Sequence, residues 1–236
     1  MIFRTAILLG LAATVIGAHD FITTKITWSK EMSRLVYKRC AACHREGGPA
    51  FSLMTYEEAR PWAKAIKEEV LERRMPPWQA VKGFGEFKDD RGLTEEELEV
   101  ISDWVEGGAP EGEPKYLPQA PKPAAWLDPA TPLGASEIVV AAEAKIAAPA
   151  RVIGIRAKTF KKGDTVQIIA TLPDGAIEPL LWIYQYNPAF QRTYYYKAPL
   201  SLPPGTQIGM SPAGAGTVAL FTSPASKLPQ KTRAGF

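Results

Sequence analysis

Seven prolines fall within residues 109–134, at Pro110, Pro114, Pro118, Pro121, Pro123, Pro129 and Pro132. A segment of that composition resists helix and favours extended polyproline geometry, so it reads as a semi-rigid linker. It divides the chain into two stretches with different periodicities. In residues 19–108, Thr55 with Glu58 and Thr94 with Glu97 have capping-box spacing, each ahead of an amphipathic helical pattern. Ser29 reads as the cap of an earlier helix running towards Cys40, with Trp28 as the staple residue before it. Pro61 places the start of the main second helix near itself, because proline suits a first turn and not an interior. In residues 135–236 the runs 166–171, 180–184, 192–196 and 217–222 are rich in β-branched and aromatic residues, with Gly/Pro turn signals between them. The expected fold class is multidomain, α plus β: an all-α unit followed by an all-β, sandwich-like domain.

The first 18 residues carry one arginine, then a short apolar run ending in Ile-Gly-Ala. This is the pattern of a secretory signal peptide, with an uncleaved membrane anchor as the other reading. Either way the bulk of the chain is expected outside the cytoplasm, in the periplasm, with membrane association through residues 1–18. Charge divides unevenly. Residues 1–134 hold 17 Lys+Arg against 20 Asp+Glu, a net −3, and residues 135–236 hold 11 against 5, a net +6. No block of five like charges occurs, and nothing in this balance points to nucleic acid.

The chain has two cysteines and two histidines, and three of these four stand together in Cys40-Ala-Ala-Cys43-His44. C-x-x-C-H is the attachment signature of a c-type haem. The chemistry sets the spacing: two thiols reach the vinyl groups on one porphyrin edge, and the next imidazole falls beneath the iron. A thioredoxin-like pair has no need of the histidine, and a structural zinc site needs a fourth ligand that Cys2His does not supply. Cys40 and Cys43 are therefore expected as haem thioethers and His44 as the proximal iron ligand. The methionines after His44 are Met54, Met75 and Met210. Met54 is too near in sequence to cross the haem easily, and Met210 lies in the other half. Met75 precedes Pro76 and Pro77, whose rigidity suits a thioether held on iron, so Met75 is the expected distal ligand.

The wording around these residues resembles a known family. TWSKE at 27–31, CAACHREGG at 40–48, FSLMTY at 51–56, ARPWA at 59–63, RRMPPW at 73–78 and DRGLT at 90–94 resemble a class I c-type cytochrome module. It is the kind attached to bacterial copper type II, ascorbate-dependent monooxygenase-like proteins. The resemblance implies an all-α cytochrome c domain over residues 19–108, with Met75 in the distal ligand position. More weakly, RVIGIR at 151–156, TLPDG at 171–175, EPLLW at 178–182 and LPPGT at 202–206 resemble the C-terminal half of those monooxygenases. That family places a His-x-His copper pair where this chain has Ala157-Lys158-Thr159, and no histidine follows His44. The second domain is thus expected to be degenerate and without catalytic copper. A copper site at His19 would need a second histidine, and His44 is already used.

The functional expectation is a mono-haem carrier that moves single electrons between a donor and an acceptor redox protein, within a membrane-bound complex and without substrate chemistry of its own. The alternative is an electron-feeding subunit of a haem or copper oxygenase whose catalytic centre lies in a partner chain. On the first of these readings the basic β-domain is expected to serve as a docking or anchoring module.

Overall fold

The computed structural model describes residues 25–122 and 130–223. The expected signal or anchor segment, residues 1–18, and His19 lie outside these residues. Among the described residues no helix is long and apolar enough to cross a membrane.

An all-α domain followed by an all-β domain is not what the chain forms. The described chain is mostly β, with a small helical part built from short pieces: α1 (Ser33–Arg39), α2 (Tyr56–Ala59), α3 (Ala63–Leu71) and α4 (Glu95–Glu106). Local chemistry keeps these helices short. A π-turn at Trp28–Met32 precedes α1, and Pro61 places a 3-10 turn between α2 and α3. Residues 40–55 and 72–94 contain no regular helix. Both capping boxes form with both of their hydrogen bonds, at Thr55/Glu58 and Thr94/Glu97, and Gly107 closes α4. Ser29 is not a cap. It lies inside the π-turn, and its hydroxyl donates to the Glu111 carbonyl at 2.8 Å.

That bond shows where the proline-rich segment begins. Residues 109–111 belong to the helical part: Trp28 N donates to Pro110 O at 3.0 Å, Trp104 Nε1 to the same carbonyl at 3.0 Å, and the Tyr56 hydroxyl to Ala109 O at 3.0 Å. The small core there centres on Trp28, Met32, Ile101 and Trp104, all essentially without solvent exposure.

Seven strands form two antiparallel sheets: β1 (Ser136–Ala141), β2 (Ala150–Ala157), β3 (Val166–Thr171), β4 (Ile177–Ile183), β5 (Tyr194–Leu202), β6 (Gln207–Ser211) and β7 (Thr217–Thr222). Their orders are β1-β7-β2-β5 and β4-β3-β6. Burial alternates along β3, with Val166, Ile168 and Ala170 inside, as a sheet with one core face requires. Those residues pack with Val152 and Ile155 of β2, Ile208 of β6, and Val218 and Leu220 of β7 in one core between the sheets.

The third component of that core comes from the other half of the sequence. Residues 78–88 leave the helical part, cross the open side of the sandwich and return. Along this strap Ala80 bridges Ile183 on edge strand β4, and Phe87 bridges Tyr196 on edge strand β5. Val81 N donates to Trp182 O at 2.8 Å, Tyr184 N to Gln79 O at 2.9 Å, Lys88 N to Tyr195 O at 2.7 Å and Lys197 N to Glu86 O at 2.9 Å. Trp78, Ala80 and Phe87 are buried in the sandwich core. At Gly85 (φ +81°) a Cβ would press on the Leu180 carbonyl and the Phe87 ring, so the strap's close approach requires glycine there. Unpaired sheet edges template unwanted pairing, and the strap covers one edge of each sheet.

Candidate haem attachment site

The end of α1 and the loop after it bring Cys40, Cys43 and His44 together. Cys40 N and Ala41 N both donate to Val36 O as the helix finishes, and Cys43 N and His44 N both donate to Cys40 O, at 3.0 and 2.9 Å. The motif is one tight turn. Both cysteines are free thiols. Burial pushes the Cys40 thiol up to about 12, against the lowering effect of neighbouring Arg39.

The loop then folds back on itself. Ala50 N donates to Cys43 O and Leu53 N to His44 O, each at 3.3 Å. Gly48 sits against Cys43 O so closely that any Cβ would collide with it. Glu58 fastens the return: one carboxylate oxygen accepts from Ser52 Oγ at 2.7 Å, Met54 N at 2.9 Å and Thr55 N at 3.0 Å. This fixed return delivers the Phe51 carbonyl to His44 Nδ1, 3.0 Å away. A carbonyl can only accept, so Nδ1 carries the proton and the Nε2 lone pair is left for a metal. Phe51 also packs edge-on against the imidazole with ring centroids 5.1 Å apart, and Trp62 lies 4.8 Å beyond Phe51.

Met75 follows α3, its amide donating to Glu69 O at 3.1 Å. It packs on the same apolar cluster as Cys40. It also lines a cleft of about 350 Å³ with Val70, Arg73, Leu93 and Leu98, and Cys40, Cys43 and His44 are not among that cleft's walls. Met54 lies beside the loop return, and Met210 is in the sandwich core. Of the adjacent arginine pair, Arg74 is held by Glu68 and Glu69, while Arg73 lies over the Tyr184 ring, 5.6 Å from its centroid.

Among the described residues no three of His, Cys, Asp and Glu converge as a metal-holding group. Haem iron does not need such a group, since the porphyrin supplies four nitrogens and the protein only axial ligands. The residues present fit that requirement: two adjacent free thiols, an imidazole with its tautomer fixed, and a thioether on the cluster that Cys40 touches. Arg45, next to His44, keeps a buried Nε with no partner among the described residues, a donor available to an added anionic group.

Sequence reasoning named two candidate attachment cysteines and two candidate iron ligands, but did not name Phe51 and Glu58 as supports of the motif. A capping-box glutamate can also accept from residues before the cap, so Glu58 carried a faint signal. The Phe51 carbonyl carried none, because every residue has one. No protein family, curated protein or solved structure matches the chain.

Proposed function

We propose that this chain is an exported mono-haem electron carrier, with haem attached through Cys40 and Cys43, His44 as proximal ligand and Met75 as distal ligand. The observation that carries the reading is His44. Its Nδ1 is engaged by the Phe51 carbonyl one turn after two free thiols, which leaves Nε2 directed by a locked ring. Such support of the far nitrogen is how ligating histidines are oriented and their basicity raised.

Bound haem supplies one-electron iron chemistry, and thioether with imidazole favours a higher potential than two imidazoles. The chain's own residues do the rest. Cys40 and Cys43 would hold the haem through thioethers, the Phe51 carbonyl holds the His44 proton at Nδ1, and Phe51, backed by Trp62, packs against the imidazole. Donor and acceptor are other redox proteins, within a membrane-bound complex reached through export of the chain into the periplasm.

The test is direct. Full-length protein made with haem-attachment machinery should give an alkaline pyridine spectrum with one haem per chain, and the spectrum should persist after acid–acetone extraction. A ratio near zero or two overturns the reading. Ferric protein should show the weak near-infrared sulfur-to-iron band, and Met75→Ala should abolish it. A band that survives removes Met75 from the ligand set.

A further inference from the structure

The strap starts three residues after Met75 and ends two residues before Asp90, and both of its ends are tied. At the first end, Trp78 is buried in the sandwich core, edge-on to Tyr194 at 5.0 Å, with the Arg192 guanidinium 5.8 Å from its ring centroid. Gln79 is held on both sides: its carbonyl accepts from Tyr184 N, and its side-chain amide donates to Asn187 O at 3.3 Å. At the far end, Phe87 stacks on Tyr196 at 5.3 Å, and the Tyr196 hydroxyl donates to Leu180 O at 3.0 Å. Past Phe87 the chain returns to the helical part. Asp90 pairs with Lys82 at 2.6 Å, and its carbonyl accepts from Arg39, the residue before Cys40, at 3.2 Å.

The loop that presents Met75 is therefore not held by helices alone. Behind it lie α3 and the Glu69 carbonyl; ahead of it lies a segment whose backbone is hydrogen-bonded to β4 and β5. Arg73, two residues before Met75, also reaches the sandwich through Tyr184. A separable docking module would leave the Met75 loop unchanged whatever happened to its own edge. Here the sandwich edge and the Met75 loop are joined through one continuous segment.

We propose that the β-sandwich edge is the device that positions Met75: gripping the strap through Trp78 and Phe87, it holds the thioether on the iron, and loosening the strap opens the sixth coordination position. This rests on the haem reading above. Trp78 and Phe87 belong to the sandwich core, whereas Cys40 and Met75 pack on the helical cluster, so both act through Met75, as positioning residues. The difference between the two states lies in a single chain segment with two places to be, docked on β4 and β5 or released, which is what a bistable element needs.

The experiment uses full-length holoprotein and the variants Trp78→Ala and Phe87→Ala. Val140→Ala serves as a control, because it opens the same core on β1, at the opposite edge of that sheet from β5. Three quantities are read: haem per chain, the sulfur-to-iron band, and the rate at which ferrous protein binds carbon monoxide. Covalent haem should stay at one per chain in all three. The strap variants should lose most of the band and bind carbon monoxide at least about tenfold faster, in proportion to the released population. Val140→Ala should do neither. Trp78→Phe and Phe87→Leu keep most of the core filled and should lose part of the band, in step with the rise in strap exchange, so they carry the test if the alanine variants do not fold. Amide exchange at Val81 and Lys88, which donate to β4 and β5, reports whether the strap has loosened. Faster exchange with an unchanged band and unchanged carbon monoxide binding overturns the proposal, as does an equal loss in Val140→Ala. Absence of haem, or a band that survives Met75→Ala, instead refutes the ligand assignment beneath it.

Discussion

The two halves of the molecule solve the same problem with unequal means. The sandwich closes two sheets over a continuous core running from Val152 through Ile168 to Leu220. The helical part encloses a small tryptophan-centred cluster, leaves two long segments without regular structure, and leaves Phe51, Trp62 and Leu71 about half exposed. Small units with little buried surface are marginal by themselves and gain from staples or bound groups. Here the helical part is stapled twice, by residues 109–111 against Trp28 and by the strap against the sandwich. The lesson is that sequence neighbours and packing partners need not coincide: Trp78 stands in the helical half and is a core residue of the β half.

The largest effect is expected where the smaller core is weakest. Trp104→Ala empties the centre of the tryptophan cluster and releases the hydrogen bond to Pro110 O, a loss of about 3–5 kcal/mol. Amide exchange across α1 and α4 should rise well before exchange across β3 and β7. If all four rise together, the halves form one cooperative unit and the comparison breaks.

Tyr196→Phe sharpens it at the seam. The ring that stacks on Phe87 stays, but the buried Leu180 carbonyl loses its donor, which costs about 1–3 kcal/mol. Thermal unfolding should register the loss, and faster exchange at Lys88 should accompany it.

Thr94→Ala tests the helical part alone. Loss of the cap over the Glu97 amide should cost about 1 kcal/mol by denaturant titration, with no change in exchange across the sandwich.

The smallest effect is a pH dependence. Burial raises the Glu97 carboxyl, but hydrogen bonds from Arg39, the Thr94 amide and Lys38 outweigh it, and the net position is below the ordinary 4.5. A folded-state value lower than the unfolded one contributes stability that is present above the unfolded value and lost as pH falls through the folded one. The helical part should therefore weaken as pH drops below about 4.5. Glu97→Gln should be less stable at neutral pH and flatter over that acid range, as read by circular dichroism melts. An unchanged slope would assign the acid sensitivity to other carboxylates.

Much of the local structure was legible in the sequence, and little of the long-range structure. The Thr55 and Thr94 capping boxes and the limits of β3 and β7 follow from residue type and period, because each is decided within a few neighbours. Ser29 misled, since a hydroxyl that suits a cap suits the carbonyl of Glu111 equally well, 82 residues away. The strap had no signature. Its irregular backbone pairs with two sheet edges, and such pairing is satisfied by amides and carbonyls that every residue carries. Cys40, Cys43 and His44 stood out as candidates because their spacing matches an attachment chemistry; the Phe51 carbonyl did not, because it is only backbone.

The order in which the chain emerges gives the strap one more consequence. Ala80 is synthesised ahead of its partner Ile183 by roughly a hundred residues, so docking must wait for a long loop to close. During that interval Cys40 and Cys43 belong to a helical part that has not yet been tied to the sandwich, and on the haem reading proposed above that is the window in which attachment would take place. Arrival of β4 and β5 then ends the window. The order of the chain sets the length of that window.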